Sequence, residues 1–249
     1  MRRIGVKETV ARYIGEKRVA ARYIGENLVF AESEPWYITD GLAHHYDFIN
    51  NTGDGHDPLA AVWADLAGGV DMDLQNIAFG DRALVFAGNN NAKGIYRGVN
   101  LREFTIFNTH AFSALTPLIH PRVFAENPSP TLYAQSGQGY AYAYYGQGLD
   151  RAFAPPYIPT VNQIMHTAIR WKGPGNPAEL FVDGVQVGQV GPISVYPTAT
   201  TLKYLGGNSG TTRTFAGEFF EHMVYTKPLT DGEIMHNFVV SKKRYGENE

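Results

Sequence analysis

Apolar and polar positions alternate along much of this chain in short runs, each broken by Gly, Asn, Asp or Pro. A period of two marks half-buried strands, and the breaks are turn residues. In "FTIFNTHAF", Phe104 and Ile106 alternate with Thr105 and Phe107. "QGYAYAYYG" sets Tyr140, Tyr142 and Tyr144 on one face. "TAIRW" leads through a Gly/Pro loop to "AELFVDGVQVG", where Asp183-Gly184 between two alternating runs is the strongest hairpin signal in the chain. "GEFFEHMVY" sets Phe220, His222 and Val224 against Phe219, Met223 and Tyr225. Only one helix is well marked. Thr230 and Glu233 make a capping box, and Ile234 and Phe238 follow one turn apart on a common face. Many short strands with one late helix predict an all-β, two-sheet sandwich with a short C-terminal helix.

The first thirty residues read differently. "ARYIGEK" (Ala11–Lys17) returns as "ARYIGEN" (Ala21–Asn27), with a fainter copy at Arg2–Lys7. Each ten-residue unit reads as one strand and one Gly-led turn, so the segment predicts a small β-meander. Three-residue loops would pair Tyr13 with Val19 and Tyr23 with Val29. So small a piece with open edges favours docking on a partner, either another copy or a larger assembly, over packing back on its own domain. Arg12, Tyr13, Arg18, Arg22, Tyr23 and Phe30 are the candidate interface residues. Glu32-Ser33-Glu34-Pro35 breaks the pattern. The expected division is therefore 1–32 as anchor, 33–35 as linker and 36–249 as sandwich.

Charge and composition narrow the function. A formal charge of -3 lacks the basic excess of a nucleic-acid binder. With no Cys, disulfides, thiolate metal sites and Cys nucleophiles are excluded. No apolar run approaches the ~20 residues of a membrane span. The N-terminus lacks the apolar core of a signal peptide, so the expectation is a cytoplasmically made protein with no membrane partner. No "G-x-S-x-G" elbow and no "H-E-x-x-H" occurs. His44 and His45 are adjacent, so on a strand they point to opposite faces and do not readily share one metal.

Six segments resemble, in order, the concanavalin A-like, laminin-G-type jelly rolls. They are "ALVFAGNNN" (Ala83–Asn91), "FTIFNTHAF", "HTAIRW" (His166–Trp171), "ELFVDGVQVG" (Glu179–Gly188), "KYLGGN" (Lys203–Asn208) and "FAGEFFEHMVYTKPLTDGEIMHNF" (Phe215–Phe238). The opening "GLAHHYDFINNTGDGHDPLAAVWADLAG" (Gly41–Gly68) is similar to the start of such domains in phage and prophage proteins of Gram-positive bacteria, and the repeated leader resembles the N-termini of phage head and tail proteins. The resemblance covers about residues 36–241 and implies a jelly-roll sandwich. The whole implies a non-enzymatic virion structural protein, partnered with copies of itself and other virion proteins. A dedicated carbohydrate-binding receptor-recognition protein is the alternative, and a glycan hydrolase the third reading.

The resemblance also directs attention to three kinds of site. The family's hydrolases use an "E-x-D-x-E"-like strand, which is absent here; Glu218 and Glu221 in "GEFFE" are expected on alternate faces. A rim calcium, as in many laminin-G-type domains, would draw on Asn50, Asn51, Asp54 and Asp57. Sugars are the natural ligand of the fold. Aromatics for stacking and amides for hydrogen bonds are offered by Trp36, Tyr37, Asn89, Asn90, Asn91, Tyr140, Tyr142, Tyr144 and Tyr145.

Overall fold

The computed structural model describes residues 13–14, 17–18, 21–24, 27–31, 36–49, 61–88, 92–115, 122–125, 130–135, 139–144, 149–193, 200–207 and 215–245. The chain divides into two compact units, Met1–Trp36 and Tyr37–Glu249. In the first, β1 (Tyr13–Ile14) pairs with β2 (Lys17–Arg18), and β3 (Ala21–Ile24) with β4 (Asn27–Ala31), as two antiparallel hairpins. Their register corrects the sequence expectation: Tyr13 faces Arg18, not Val19, and Tyr23 faces Leu28, not Val29. The innermost pairs, Ile14↔Lys17 and Ile24↔Asn27, leave two residues between the strands, the commonest hairpin connection.

The second unit contains β5 (Leu42–Asp47), β6 (Val62–Trp63), β7 (Met72–Gln75), β8 (Ala78–Phe79), β9 (Leu84–Ala87), β10 (Lys93–Leu101), β11 (Phe104–Phe112), β12 (Arg122–Ala125), β13 (Pro130–Gln135) and β14 (Gly139–Tyr144). It continues with β15 (Leu149–Ala152), β16 (Ile164–Trp171), β17 (Ala178–Val182), β18 (Val185–Val190), β19 (Thr200–Leu205) and β20 (Ala216–Tyr225), and ends in one helix, α1 (Asp231–Arg244). One sheet runs β15-β14-β13-β12-β19-β10-β7-β6. The other runs β18-β17-β16-β11-β20-β9-β8, with β5 also on β20. Strand β20 is shared along its length: residues 216–219 pair with β9 and residues 221–225 with β5. At one margin Ala154, just past β15, exchanges both backbone hydrogen bonds with Gln189 of β18, at 3.1 and 3.2 Å. The opposite margin ends in β6 and β8, two residues each. This is the all-β sandwich with a short C-terminal helix that the alternation predicts.

Trp63, Phe104, Phe112, Trp171, Leu180 and Phe219 fill the space between the sheets, all fully buried. Burying each such side chain stabilises the fold by roughly 2 kcal/mol. The Asp183-Gly184 turn joins Val182 to Val185, with φ of 50° and 79°. Two positive φ values define the hairpin turn whose twist matches that of its strands.

A β-bulge in β20 decides which side chains reach the outer face. Thr109 pairs with Glu221 and the next residue, His110, with Phe219, so Phe220 is the extra residue. Simple alternation places Phe220 with His222 and Val224; the bulge reverses this. Phe219 joins the inner core, and Phe220 packs outside with Ala83 and Ala111. It also brings Glu218 and Glu221 to the same outer face, contrary to the expectation of alternate faces. Glu218 ion-pairs with Arg82, whose guanidinium lies 5.4 Å from the centre of the Phe220 ring. Glu221 accepts a hydrogen bond from Ser241 of α1.

Helix α1 lies on that outer face. Both halves of its capping box form: Glu233 N donates to Thr230 Oγ1 at 3.2 Å, and Thr230 N donates to Glu233 Oε2 at 2.7 Å. Ile234 and Val240 pack on Phe107, Ala168, Phe181, Met223 and Tyr225. Arg170 of β16 ties the helix start to the sheet. It donates to Glu179 Oε2, to Asp231 Oδ1 and to the Leu229 carbonyl, and stacks over Phe181.

Candidate functional site

Two polar groupings occupy the outer face of the helix-bearing sheet: one sealed beneath α1, the other open beside it.

The sealed grouping is a continuous hydrogen-bond network. His45 of β5 donates from Nε2 to Glu221 Oε1 at 3.0 Å. Glu221 Oε2 accepts from Ser241 Oγ at 2.9 Å. Ser241 Oγ lies 2.7 Å from Thr109 Oγ1 and 3.1 Å from His166 Nδ1. Beside them Asp47 accepts from Arg244 through Oδ2 and from the Tyr245 hydroxyl through Oδ1. His45, Asp47, Glu221, His166 and Ser241 are all at most 2% exposed. Burial pushes the His166 imidazole down to about 4, with Lys242 adding to the shift. The residue types are those of a catalytic or metal site, but a helix lies over them.

The ligand atoms of His45, Asp47 and Glu221 lie within 4.8 Å of one another, so this cluster is capable of coordinating a metal ion. One imidazole with two carboxylates suits zinc better than calcium, which takes oxygen ligands alone. A metal entering here would have to displace Arg244 from Asp47, since the guanidinium already supplies the positive charge.

A second buried polar row faces the interior. Asn108 Oδ1 accepts from His222 Nδ1 at 2.6 Å, which leaves His222 Nε2 to accept from the Tyr96 hydroxyl. His110 Nε2 meets the Tyr140 hydroxyl at 2.9 Å. Burial pushes both imidazoles down to about 3, so they are neutral at ordinary pH. Nearer the rim, His44 Nδ1 donates to Asp65 Oδ2 at 2.6 Å. Burial alone would raise the Asp65 carboxyl, but His44 and the backbone N–H groups of His45 and Ala67 hold it below the usual carboxylate value.

The open grouping is a cleft of about 360 Å³ on the uncovered part of the outer face. Strands β9, β20 and β11 meet there, and Arg82, Val85, Ser113, Asn162, Gly217 and Glu218 line it. Gly217 (φ 147°) is required, since a side chain there would run into the Ala111 carbonyl oxygen. Asn162 is held by its backbone N–H, which donates to the Phe112 carbonyl at 2.7 Å. Arg82 donates to Glu218 Oε2 at 3.0 Å, and their side chains are 66% and 32% exposed. Among the described residues, no hydrogen bond is made by Glu218 Oε1, the Ser113 hydroxyl or the Asn162 side-chain amide. The cleft therefore offers donors and acceptors side by side.

Of the residues nominated from sequence, Tyr37 and Tyr140 do not line this cleft. Tyr37 and Tyr140 are 3% and 0% exposed, so neither can stack on a sugar; each was drawn inward because its ring completes a buried face. Trp36 is 47% exposed and belongs to the first unit. Tyr142 and Tyr144 lie in β14, and Asn89, Asn90, Asn91 and Tyr145 fall outside the described residues. So do the calcium candidates Asn50, Asn51, Asp54 and Asp57. Of the interface candidates, Arg12 is outside them, while Tyr13, Arg18, Arg22, Tyr23 and Phe30 are strand residues of the two hairpins. Sequence reasoning missed Arg82, Ser113, Asn162 and Gly217, which share no motif. It set Glu218 aside because the bulge is not visible as a break in alternation.

The fold is shared with proteins that act on or bind sugars. Trypanosoma rangeli sialidase in complex with the inhibitor DANA superimposes with a TM-score of 0.62 at 17% identity, covering 92% of this chain and 36% of that one. This chain thus spans about a third of the sialidases it matches. Domain 4 of AbnA, an extracellular arabinanase from Geobacillus stearothermophilus, in complex with arabinotriose, gives 0.58 at 17% identity, covering 78% of this chain and 96% of that one. The botulinum neurotoxin serotype D ligand binding domain in complex with N-acetylneuraminic acid gives 0.58 at 9% identity, covering 81% and 51%. No curated protein matches the sequence. Against these neighbours and the His45/Asp47/Glu221 cluster, the expectation of a non-enzymatic virion structural protein does not stand. Among the described residues, no helix is long and apolar enough to cross a membrane. The family model of the concanavalin A-like lectin/glucanases superfamily matches residues 107–235, just over half of the sequence, and this chain belongs to that superfamily.

Proposed function

We propose that this chain is a carbohydrate-recognition sandwich that serves glycan processing, and that the open cleft beside α1 is where it holds sugar. The carrying observation is the cleft itself. It is a concavity of about 360 Å³, at the small end of ligand pockets, lined by a part-exposed carboxylate, an exposed guanidinium, a hydroxyl and an amide around apolar Val85 and Ala111. Sugar hydroxyls each donate and accept, and this mixed set answers them. The sugars seen bound to the arabinanase domain and the neurotoxin domain support the class of ligand.

The test is titration of the full chain with arabinotriose and with maltotriose, followed by amide chemical shifts. Shifts of Ser113, Asn162 and Gly217 that saturate, and that vanish in Arg82→Ala and Glu218→Ala proteins of unchanged melting temperature, are the expected result. Binding that survives both substitutions would place the site elsewhere.

Cleavage of the bound sugar is a second reading, favoured by the bulge. Glu218 and Glu221 oppose Ala111 and Thr109, so they stand on one face about two strand residues, or roughly 7 Å, apart. Carboxylate pairs of glycoside hydrolases stand about 5–9 Å apart. Glu221 is fully buried beneath α1, so this reading requires the sugar to gain access to it. Turnover of arabinotriose abolished by Glu218→Gln and by Glu221→Gln alike would establish it.

A further inference from the structure

The charges of the cleft say more than that it holds a sugar. Resting on the cleft reading above, we propose that its ligand is a neutral saccharide unit, engaged through neighbouring hydroxyls, and that sugars bearing a carboxylate are excluded.

Among the described residues, Arg82 and Glu218 are the charged ones lining the cleft, and they are paired with each other at 3.0 Å. The lining is therefore neutral in sum. A sugar carboxylate would find one cation, already engaged, and one anion of its own sign on the same wall. It could reach a guanidinium N–H not used by Glu218 only by standing beside that carboxylate, like charge against like. Like charges at such a distance repel appreciably even near a surface. A neutral sugar meets no such conflict. One hydroxyl can donate to Glu218 Oε1, and its neighbour can accept from a guanidinium N–H not used by Glu218, so an adjacent hydroxyl pair spans the ion pair without breaking it. Charge-assisted hydrogen bonds of this kind are the stronger sort.

Two further features fix the arrangement. The Arg82 guanidinium lies 5.4 Å from the centre of the Phe220 ring, which holds its plane against the sheet. Phe220 stands outside because of the bulge in β20, so the same irregularity that exposes Glu218 also seats its partner. In the same cleft Ser113 and Asn162 can each both donate and accept, again a match to hydroxyls rather than to an anion.

The experiment compares arabinotriose and maltotriose, both neutral, with N-acetylneuraminic acid on the isotope-labelled full chain, in wild type and in Glu218→Gln. Saturating shifts at the Ser113, Asn162 and Gly217 amides with a neutral sugar, and at least ten-fold weaker binding of N-acetylneuraminic acid, are expected. Glu218→Gln should narrow that preference by at least ten-fold, because it removes the repelling charge while keeping the shape. Arg82→Met serves as the second variant and should weaken the neutral sugars without admitting the acid. If N-acetylneuraminic acid binds wild type as well as the neutral sugars do, the charge argument is wrong while the carbohydrate reading stands. If none of the three sugars moves the cleft amides, both fail together.

Discussion

Glu218 and Glu221 carry the same carboxyl group on the same strand, yet their surroundings differ in kind. Glu218 is part-exposed and shares one oxygen with Arg82. Glu221 is fully buried and spends both oxygens, on His45 and on Ser241. Removing the Ser241 hydroxyl would leave a buried carboxylate oxygen short of a donor. Ser241→Ala should cost about 1–3 kcal/mol, read as a lower midpoint in urea unfolding at an unchanged slope. The buried imidazoles make a separate prediction. His110 and His222 are pushed down to about 3 and His166 to about 4, below the ~6.5 of an unfolded chain. Between those limits the unfolded chain binds more protons than the folded one. The stability is therefore whole above pH ~6.5 and is lost as pH falls towards 3–4, at up to about 1.4 kcal/mol per pH unit for each histidine. Urea unfolding at pH 7 and pH 5 should show the acid sample markedly weaker; equal midpoints would mean these rings are not buried neutral.

Among the elements, α1 and the β17–β18 hairpin were legible because their signals are local. A capping box needs only Thr230 and Glu233, and a tight turn only Asp183 and Gly184. Thr230→Ala should lower stability by about 1 kcal/mol by freeing backbone donors at the helix start, measurable as a drop in melting temperature. Gly184→Val should cost roughly 1 kcal/mol or more. Its φ of 79° is strained for a branched side chain, and a Cβ there would come 2.8 Å from the Met235 sulfur. Strand β20 was legible as a strand but not in its facing. Nothing in "GEFFE" distinguishes Phe219 from Phe220, because the bulge is set by the register against β11, a partner more than a hundred residues away. The Tyr row of β14 shows the same limit from the other side: alternation groups tyrosines on a face but does not say which face looks inward.

For the molecule as a whole, two sheets, an apolar interior and a late helix follow from alternation and turn chemistry. The cleft does not, because its walls come from β9, β11, β20 and Asn162, brought together only by long-range pairing. Ligand class is likewise a property of the assembled surface, where Arg82 cancels Glu218 across 136 positions of sequence. The way the sandwich ends its sheets has a consequence of another sort. One margin is stitched from Ala154 to Gln189, and the other stops in two-residue strands. Among the described residues, neither margin offers a long row of unsatisfied amides, so these two edges give fibril growth little template to copy. A concentrated solution of residues 37–249 seeded with its own heat-denatured precipitate should stay clear, and Gln189→Pro, which deletes one of the two stitching donors, should make it cloud.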